Sequence, residues 1–94
     1  MLFAIYYVDK PNHGEVRAAN RQAHLDYIGT MKDQVFAAGP TISDDGAQMT
    51  GSVIIMDFAG RAEAEAFTEN DPYVKAGLFE RIEVKAWKKV LPAD

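Results

Sequence analysis

His24 is the residue of this sequence that is best suited to proton transfer near neutral pH. The unperturbed pKa of a histidine side chain is about 6.5, so imidazole can give or take a proton under physiological conditions. His24 falls at the edge of the apolar side of a predicted helix, where a hydrophobic contact would otherwise lie. We therefore interpret it as a candidate general acid or base. The alternative is a half-buried histidine that hydrogen-bonds to a backbone carbonyl.

Asp71 is the candidate partner of that imidazole. A carboxylate can hold a histidine in one tautomer and stabilise its protonated form. Asp71 also precedes Pro72, and an aspartate before a proline is a common N-cap of a helix, so a structural role alone would account for it. A catalytic pair requires both side chains in one site, which their separation in the sequence does not establish.

Three further residues are candidates for binding a substrate. Arg21 lies three residues before His24 and could bind a carboxylate or carbonyl group. Ser52 offers a hydroxyl near the start of a strand, but it lacks the Gly-x-Ser-x-Gly turn of hydrolases and is not expected to be a nucleophile. Gly39 could let a ligand approach the backbone. Arg17 lies along the same edge and could bind an anionic ligand in the same way, but we interpret it as an exposed cation that pairs with surface acids.

Composition excludes several classes of function. The chain has no cysteine, so disulfides, thiol nucleophiles and Cys-ligated metals are excluded. His13 and His24 are eleven residues apart without a partner at ligand spacing, so we predict no metal site. No glycine-rich phosphate loop is present, and we expect no cofactor. The net charge of −4 argues against nucleic acid as a partner.

Residues 2–8 form an apolar run that is far too short to span a bilayer. Nothing resembling a signal peptide precedes this run. We therefore expect a cytoplasmic protein with no membrane partner.

Strand and helix patterns alternate along the sequence. The predicted strands cover residues 2–8, 34–38, 51–58 and 81–90, and the predicted helices cover residues 15 to about 31 and 61 to about 70. Gly39-Pro40 is expected to end the second strand, and Asp71 to cap a short helical turn. The β-α-β-β-α-β order is typical of an α+β, ferredoxin-like sandwich, and residues 1–94 are expected to form one domain.

The inward faces of the two helices are predicted from apolar residues that recur at spacings of three and four. On this basis His24 lies beside the apolar stripe of the first helix rather than within it. The residues expected to face the sheet are Val16, Ala19, Ala23, Tyr27 and Met31 in the first helix and Ala62, Ala66 and Phe67 in the second.

The first and third predicted strands are apolar on both faces. Two helices can cover only one face of a four-stranded sheet, and a bare second face would exceed the apolar patch that monomers usually expose. We therefore predict a homodimer that packs sheet against sheet. The alternative is that the open face forms a ligand cleft in a monomer.

A set of short motifs resembles the YCII-related (YciI-like) family over nearly the whole chain. The motifs are Leu2-Phe3-Ala4-Ile5, Arg21-x-x-His24-Leu25, Ala38-Gly39-Pro40, Asp45-Gly46, Gly51-Ser52, Asp71-Pro72-Tyr73 and Ala76-Gly77-Leu78-Phe79, followed by a strand with Trp87. The resemblance implies the dimeric α+β barrel type of ferredoxin-like fold. It also implies an active site built on a His–Asp pair, which corresponds to His24 and Asp71 in this sequence.

Four hypotheses about function follow. The first is a small dimeric enzyme of the lyase, isomerase or dehalogenase type that uses His24 and Asp71 on a small carbonyl or lactone-type substrate. The resemblance favours this one, because a relative dehalogenates chlorinated muconolactones, although fold likeness alone does not establish a reaction. The second is a non-catalytic ligand-binding or accessory dimer. The third is a structural dimerisation module, and the fourth is a haem-handling or monooxygenase-like barrel.

Overall fold

Strands and helices follow one another in the predicted order in the structure, a computed structural model that describes residues 1–93. The strands are β1 (Leu2–Asp9), β2 (Val35–Ile42), β3 (Met49–Asp57) and β4 (Phe79–Trp87). The helices are α1 (Gly14–Gly29), α2 (Arg61–Asn70) and the short α3 (Pro72–Lys75), and a single 3-10 turn (Lys32–Gln34) leads into β2.

The four strands form one antiparallel sheet in the order β2-β3-β1-β4. The two central strands, β1 and β3, are therefore separated in sequence by α1 and β2, which is the topology of the ferredoxin-like fold. The predicted α+β fold class is confirmed. Among residues 1–93, no helix has the length and apolar character needed to cross a membrane.

The core lies between the sheet and the helices. Side chains alternate between the two faces of a strand, so every second residue of β1 and β3 points into this layer. The buried apolar cluster consists of Phe3, Ile5, Tyr7, Ile54, Met56, Phe58, Ala64 and Phe67. Burial of this set fixes which face of each central strand meets the helices.

The other face of the sheet is not covered by any element among the described residues. It carries the intervening residues of β1 and β3, such as Tyr6 and Val53, which pair across the two strands. Tyr6 is 40% exposed, Val53 is 38% exposed, and Phe36 at the start of β2 is 48% exposed. The ring of Phe36 lies 5.9 Å from that of Trp87, whose register partner Leu2 faces the same way. We refer to this surface as the open face.

The predicted limits of β2 and β4 are wrong. β2 does not end at Gly39-Pro40 but continues to Ile42. Proline cannot donate a backbone hydrogen bond, but β2 is an edge strand, where that loss is tolerated. β4 begins at Phe79 and ends at Trp87, before the predicted end at Val90.

The predicted helix faces are also wrong at four alanines. Ala19 and Ala23 of α1 are exposed, whereas Arg17 and His24 are buried. α1 is rotated in this way because its two long polar side chains have buried hydrogen-bond partners, and burying an alanine methyl group contributes less. In α2, Ala62 and Ala66 are exposed, and the buried residues are Ala64, Phe67 and Thr68.

Candidate active site

The side chains of His24 and Asp71 are in direct contact. The Nδ1 atom of His24 lies 2.9 Å from Oδ1 and 3.1 Å from Oδ2 of Asp71. Asp71 is fully buried and His24 is 7% exposed. The two residues come from different elements, because His24 lies in α1 and Asp71 lies between α2 and α3. The sequence left open whether these two side chains meet, and the structure brings them together. The catalytic role of the pair stays a prediction.

Asp71 also caps α3. Its Oδ1 accepts a hydrogen bond of 2.9 Å from the backbone N–H of Tyr73, and Pro72 occupies the first helical position. Both roles that the sequence suggests for Asp71 therefore coexist in one carboxylate. An ionised carboxylate only accepts hydrogen bonds, so the hydrogen lies on Nδ1 of His24. Nε2 is then the ring nitrogen that can exchange a proton with a substrate.

The ring of Tyr73 contacts two residues of α1. It stacks on the imidazole of His24 with a centroid distance of 4.0 Å and an interplanar angle of 16°. The guanidinium of Arg17 lies 4.9 Å from the centroid of the same ring. Arg17 and His24 are two helical turns apart, which corresponds to about 10.5 Å along the axis, so the Tyr73 ring fits between them. Tyr73 thus fixes the plane of the imidazole on one side.

Arg17 is buried, and its interpretation as an exposed cation is wrong. Its Nε and Nη2 donate to the two carboxylate oxygens of Asp9 at 2.8 and 2.9 Å. Nη2 also donates to the carbonyl of Gly51 at 2.9 Å and to Oγ of Ser52 at 3.3 Å. Burial alone would lower the pKa of Arg17, but the hydrogen bond and charge of Asp9 outweigh it and raise that pKa. Arg17 is therefore a fixed cation in the wall of the site.

Sequence reasoning missed Arg17, Asp9 and Tyr73 as parts of the site. The spacing of seven residues between Arg17 and His24 puts both on one side of a helix, which was the available signal for Arg17. Asp9 directly follows an apolar strand, where a carboxylate can reach the start of the next helix. Tyr73 gave no signal of its own beyond its place after Asp71-Pro72.

A cavity of about 210 Å³ opens beside His24, and we call it the inner cavity. The four predicted site residues His24, Arg21, Ser52 and Gly39 all line it. Asp71 does not line it, because that carboxylate lies behind the imidazole. The remaining walls come from Arg17, Leu25, Ile28, Ala38, Pro40, Met49, Ile54 and Tyr73. The inner cavity is therefore largely apolar, with a few polar groups grouped around the imidazole, as in small-molecule sites.

Ser52 and Gly39 can contribute to this cavity in different ways. Ser52 is 4% exposed, and its Oγ accepts from Arg17, which leaves the hydroxyl hydrogen to donate to a ligand oxygen. Gly39 pairs with Val53, whose side chain lies on the open face, so Gly39 reaches the cavity through its backbone. A Cβ added to Gly39 would have no atom within 4 Å, so this glycine is not required by packing.

The described residues contain no group of three or more His, Asp or Glu side chains that could hold a metal ion. The second histidine, His13, lies outside the inner cavity and hydrogen-bonds through Nδ1 to the carbonyl of Pro11 at 2.8 Å.

Comparison with known proteins places the chain in a family. The model of the YCII-related domain matches residues 1–88. The chain belongs to the YCII-related family. The resemblance predicted from the motifs is confirmed. Protein YciI of Escherichia coli O6:H1 is 38% identical over 97 residues, covering 96% of this chain and 99% of that relative. A Haemophilus influenzae relative is 35% identical over the same share of each chain.

One of the solved structures that resemble this YCII-related chain is an enzyme. The 5-chloro-2-hydroxyhydroquinone dehydrochlorinase of Burkholderia phenoliruptrix AC1100, in complex with 2,5-dihydroxybenzoquinone, has a TM-score of 0.91 and is 41% identical, with 100% of both chains covered. Rv0793 of Mycobacterium tuberculosis, at a TM-score of 0.50 and 16% identity with 96% of both chains covered, shares the fold alone. These likenesses confirm the predicted fold class of the dimeric α+β barrel type.

Proposed function

We propose that this YCII-related protein is a cofactor-independent enzyme that uses His24 and Asp71 for acid–base chemistry on a small ring compound. The observation that carries the proposal is the hydrogen bond from Nδ1 of His24 to the buried carboxylate of Asp71, at the wall of a cavity. A general base needs a fixed tautomer, a counter-charge for its protonated form and access to the substrate. The inner cavity supplies that access for Nε2.

The proposed reaction is elimination or isomerisation next to a carbonyl group. Nε2 of His24 removes a proton from the substrate, and the electron pair of the broken bond forms a new double bond. In elimination a leaving group then departs with its own electron pair as an anion. In isomerisation the imidazolium returns the proton to another carbon. Asp71 stabilises the imidazolium throughout, because its carboxylate stays hydrogen-bonded to Nδ1.

Arg21 and Ser52 are the proposed substrate-binding side chains. Negative charge develops on the carbonyl oxygen when the neighbouring proton leaves, and a donor aimed at that oxygen stabilises the transition state. The hydroxyl of Ser52 is such a donor, because its oxygen is already engaged by Arg17. Arg21 lines the same cavity and supplies a positive charge. The backbone of Gly39 completes the proposed binding surface.

The dehydrochlorinase supports the elimination branch. Its name states the loss of hydrogen chloride from a chlorinated, hydroxylated ring, and it is 41% identical to this chain over its full length. Loss of a proton and a halide is the step that an imidazole–carboxylate pair can promote without a metal or thiol. We therefore propose a halogenated or hydroxylated ring, or a lactone, as the substrate class.

Replacing His24 tests the proposal. In His24→Gln we expect kcat/KM on a panel of chlorinated hydroquinones and lactones to fall by roughly 10²- to 10⁴-fold, because the proton acceptor is lost. Lys32→Gln is the control and should leave turnover unchanged, since Lys32 is exposed and does not line the inner cavity. Undiminished turnover by His24→Gln would remove the imidazole from the mechanism.

One observation favours the non-catalytic alternative, which is that capping of α3 already accounts for the carboxylate of Asp71. In that case the inner cavity binds a ligand without turning it over. Asp71→Asn separates the two, because asparagine still caps a helix but carries no charge. The enzyme proposal predicts a large loss of kcat in Asp71→Asn with little change in thermal stability. Wild-type protein that binds panel compounds without turnover would favour the alternative.

We also propose that the protein is a homodimer that packs open face against open face. The support is the row of exposed apolar side chains on the central strands, which includes Tyr6 and Val53. Val53→Asp should shift the sedimentation coefficient from dimer to monomer, because a charge would be buried without a partner. Ala66→Glu, on the exposed side of α2, is the control and should leave the mass unchanged. A wild-type monomer by sedimentation would contradict the proposal.

A further inference from the structure

A second and larger cavity adjoins the inner one. It has a volume of about 920 Å³, and we call it the outer cleft. Arg17, Arg21 and Met49 line both cavities, so they form the shared wall. The rest of the outer cleft is built from Asp9, Lys10, Pro11, Asn12, His13, Gly14, Ala18, Gln48 and Thr50. It is thus formed by the loop between β1 and α1, the start of α1 and the start of β3.

The charges around the outer cleft do not cancel. Among residues 1–93, Asp9 is the only acidic residue that lines the outer cleft, and both of its carboxylate oxygens are already hydrogen-bonded to Arg17. Lys10 and Arg21 remain, and neither has an ion pair or side-chain hydrogen bond with another described residue. Two uncompensated cations therefore line a cleft in a protein whose formal net charge is −4.

The inner cavity is too small to hold more than a ring. At about 210 Å³ it lies below the usual range for sites that bind drug-sized ligands. Because Arg21 lines both cavities, a substituent on a ring beside His24 would extend past Arg21 toward the outer cleft. Beyond that wall the substituent would meet Lys10 and Arg21 in the outer cleft.

We propose that the outer cleft binds an anionic side group of the substrate, and that the substrate class is a ring compound with a carboxylate-bearing substituent. This inference rests on the proposed function for the location of the ring, but the charge preference belongs to Lys10 and Arg21. The cations hold the carboxylate by charge-assisted hydrogen bonds, and the ring then lies against His24. Binding energy from this remote group orients the reacting carbon.

The experiment compares 4-hydroxyphenylacetate with its methyl ester, which lacks the negative charge and is larger by one methyl group. We expect the wild type to bind the acid at least about tenfold more tightly than the ester by calorimetry, as charge-assisted hydrogen bonds provide. The preference should fall as sodium chloride is raised from about 0.05 M to about 0.5 M, because salt screens partly exposed charges.

Variants locate the preference. Lys10→Gln should weaken binding of the acid severalfold without changing that of the ester, and the double variant Lys10→Gln/Arg21→Gln should abolish the preference. Lys32→Gln, which lines neither cavity, should retain it. His24→Gln should also retain it, since the carboxylate does not contact the imidazole. A wild type that prefers the acid but turns over no compound of the panel would therefore count against the proposed function and not against this inference.

Three results would overturn the inference. The first is equal binding of acid and ester by the wild type. The second is a preference that persists in the double variant with an unchanged circular dichroism spectrum. The third is no binding of either compound at millimolar concentration.

Discussion

The two long helices lie on the same face of the sheet, but they bury different kinds of residue. α2 buries Ala64, Phe67 and Thr68, and the ring of Phe67 packs at 5.5 Å from that of Phe58. α1 buries Arg17 and His24, whose partners are Asp9 and Asp71. The buried side chains of α2 therefore belong largely to the hydrophobic core, whereas those of α1 form a network of ionisable groups. Tyr27 and Ile28 of α1 also pack against the core while remaining partly exposed, so the division concerns the buried side chains of each helix.

The difference has an energetic basis. Burying a phenylalanine stabilises the fold directly, by roughly 1.5 to 3 kcal/mol of transfer free energy. A buried ion pair contributes little net stability, because desolvating both charges offsets most of their attraction. The polar contacts of α1 are therefore better explained by what they hold in place than by what they add to the unfolding free energy. Three substitutions test this division, in order of the expected effect.

Phe67→Ala in α2 should have the largest effect on stability. We expect the free energy of unfolding to fall by about 3 to 5 kcal/mol, because the substitution opens a cavity among the packed aromatic rings. Urea denaturation at neutral pH measures this loss. The affinity for ring compounds should change little when it is measured at a low temperature at which the variant is still folded. A loss of unfolding free energy smaller than about 1 kcal/mol would contradict the assignment of α2 to the core.

Arg17→Met in α1 should cost about 3 kcal/mol of unfolding free energy, because the carboxylate of Asp9 would be left buried without a counter-charge. The double variant Asp9→Asn/Arg17→Met should recover most of that loss, since no uncompensated charge remains. Both variants should bind ring compounds more weakly than the wild type, because Ser52 loses the donor that orients its hydroxyl. A double variant as unstable as the single one would show that the ion pair itself stabilises the fold.

Tyr27→Phe should have the smallest effect, because it breaks one contact between the two helices. The hydroxyl of Tyr27 in α1 donates to the backbone carbonyl of Phe67 in α2 at 2.8 Å. Its loss should lower the unfolding free energy by about 0.5 to 1.5 kcal/mol at neutral pH. Glu69→Gln, at an exposed position of α2, is the control and should stay within about 0.5 kcal/mol of wild type.

The effect of Tyr27→Phe also depends on pH. Burial, with a further contribution from the charge of Asp71, raises the pKa of Tyr27. The folded chain then holds this proton more tightly than the unfolded chain, where the pKa is about 10. This contribution is fully present below about pH 10 and is lost as the pH rises through the folded-state value. The difference between wild type and Tyr27→Phe should therefore shrink in alkaline urea titrations. A gap that widens with pH would contradict the sign.

The order of elements could be predicted because the alternation of apolar residues in strands and their spacing in helices are local properties of the sequence. The rotation of the helices could not, because an alanine methyl group buries too little apolar area to decide which side of a helix faces the sheet. What sets the rotation of α1 is the pairing of Arg17 with Asp9 and of His24 with Asp71. Both contacts join residues of different elements, and His24 and Asp71 are 47 residues apart, so the periodicity of α1 alone does not indicate them. The continuation of β2 through Pro40 was missed for a similar reason, since edge position is a property of the whole sheet.

The residues of the candidate site also divide into those that the sequence predicted and those that it did not. His24, Arg21 and Ser52 could be proposed from residue type and position, and all three line the inner cavity. Arg17 was missed because its exposure was judged from charge alone. The role of Tyr73 depends on a ring contact with His24, which requires coordinates.

Asp71 holds both the first backbone N–H of α3 and the imidazole of His24. A relative without catalytic activity would still need a hydrogen-bond acceptor at the position of Asp71 to cap its short helix. Finding aspartate at the equivalent position in another protein is therefore uninformative about whether that protein is an enzyme. The position equivalent to His24 is the one to inspect first when sorting active from inactive relatives.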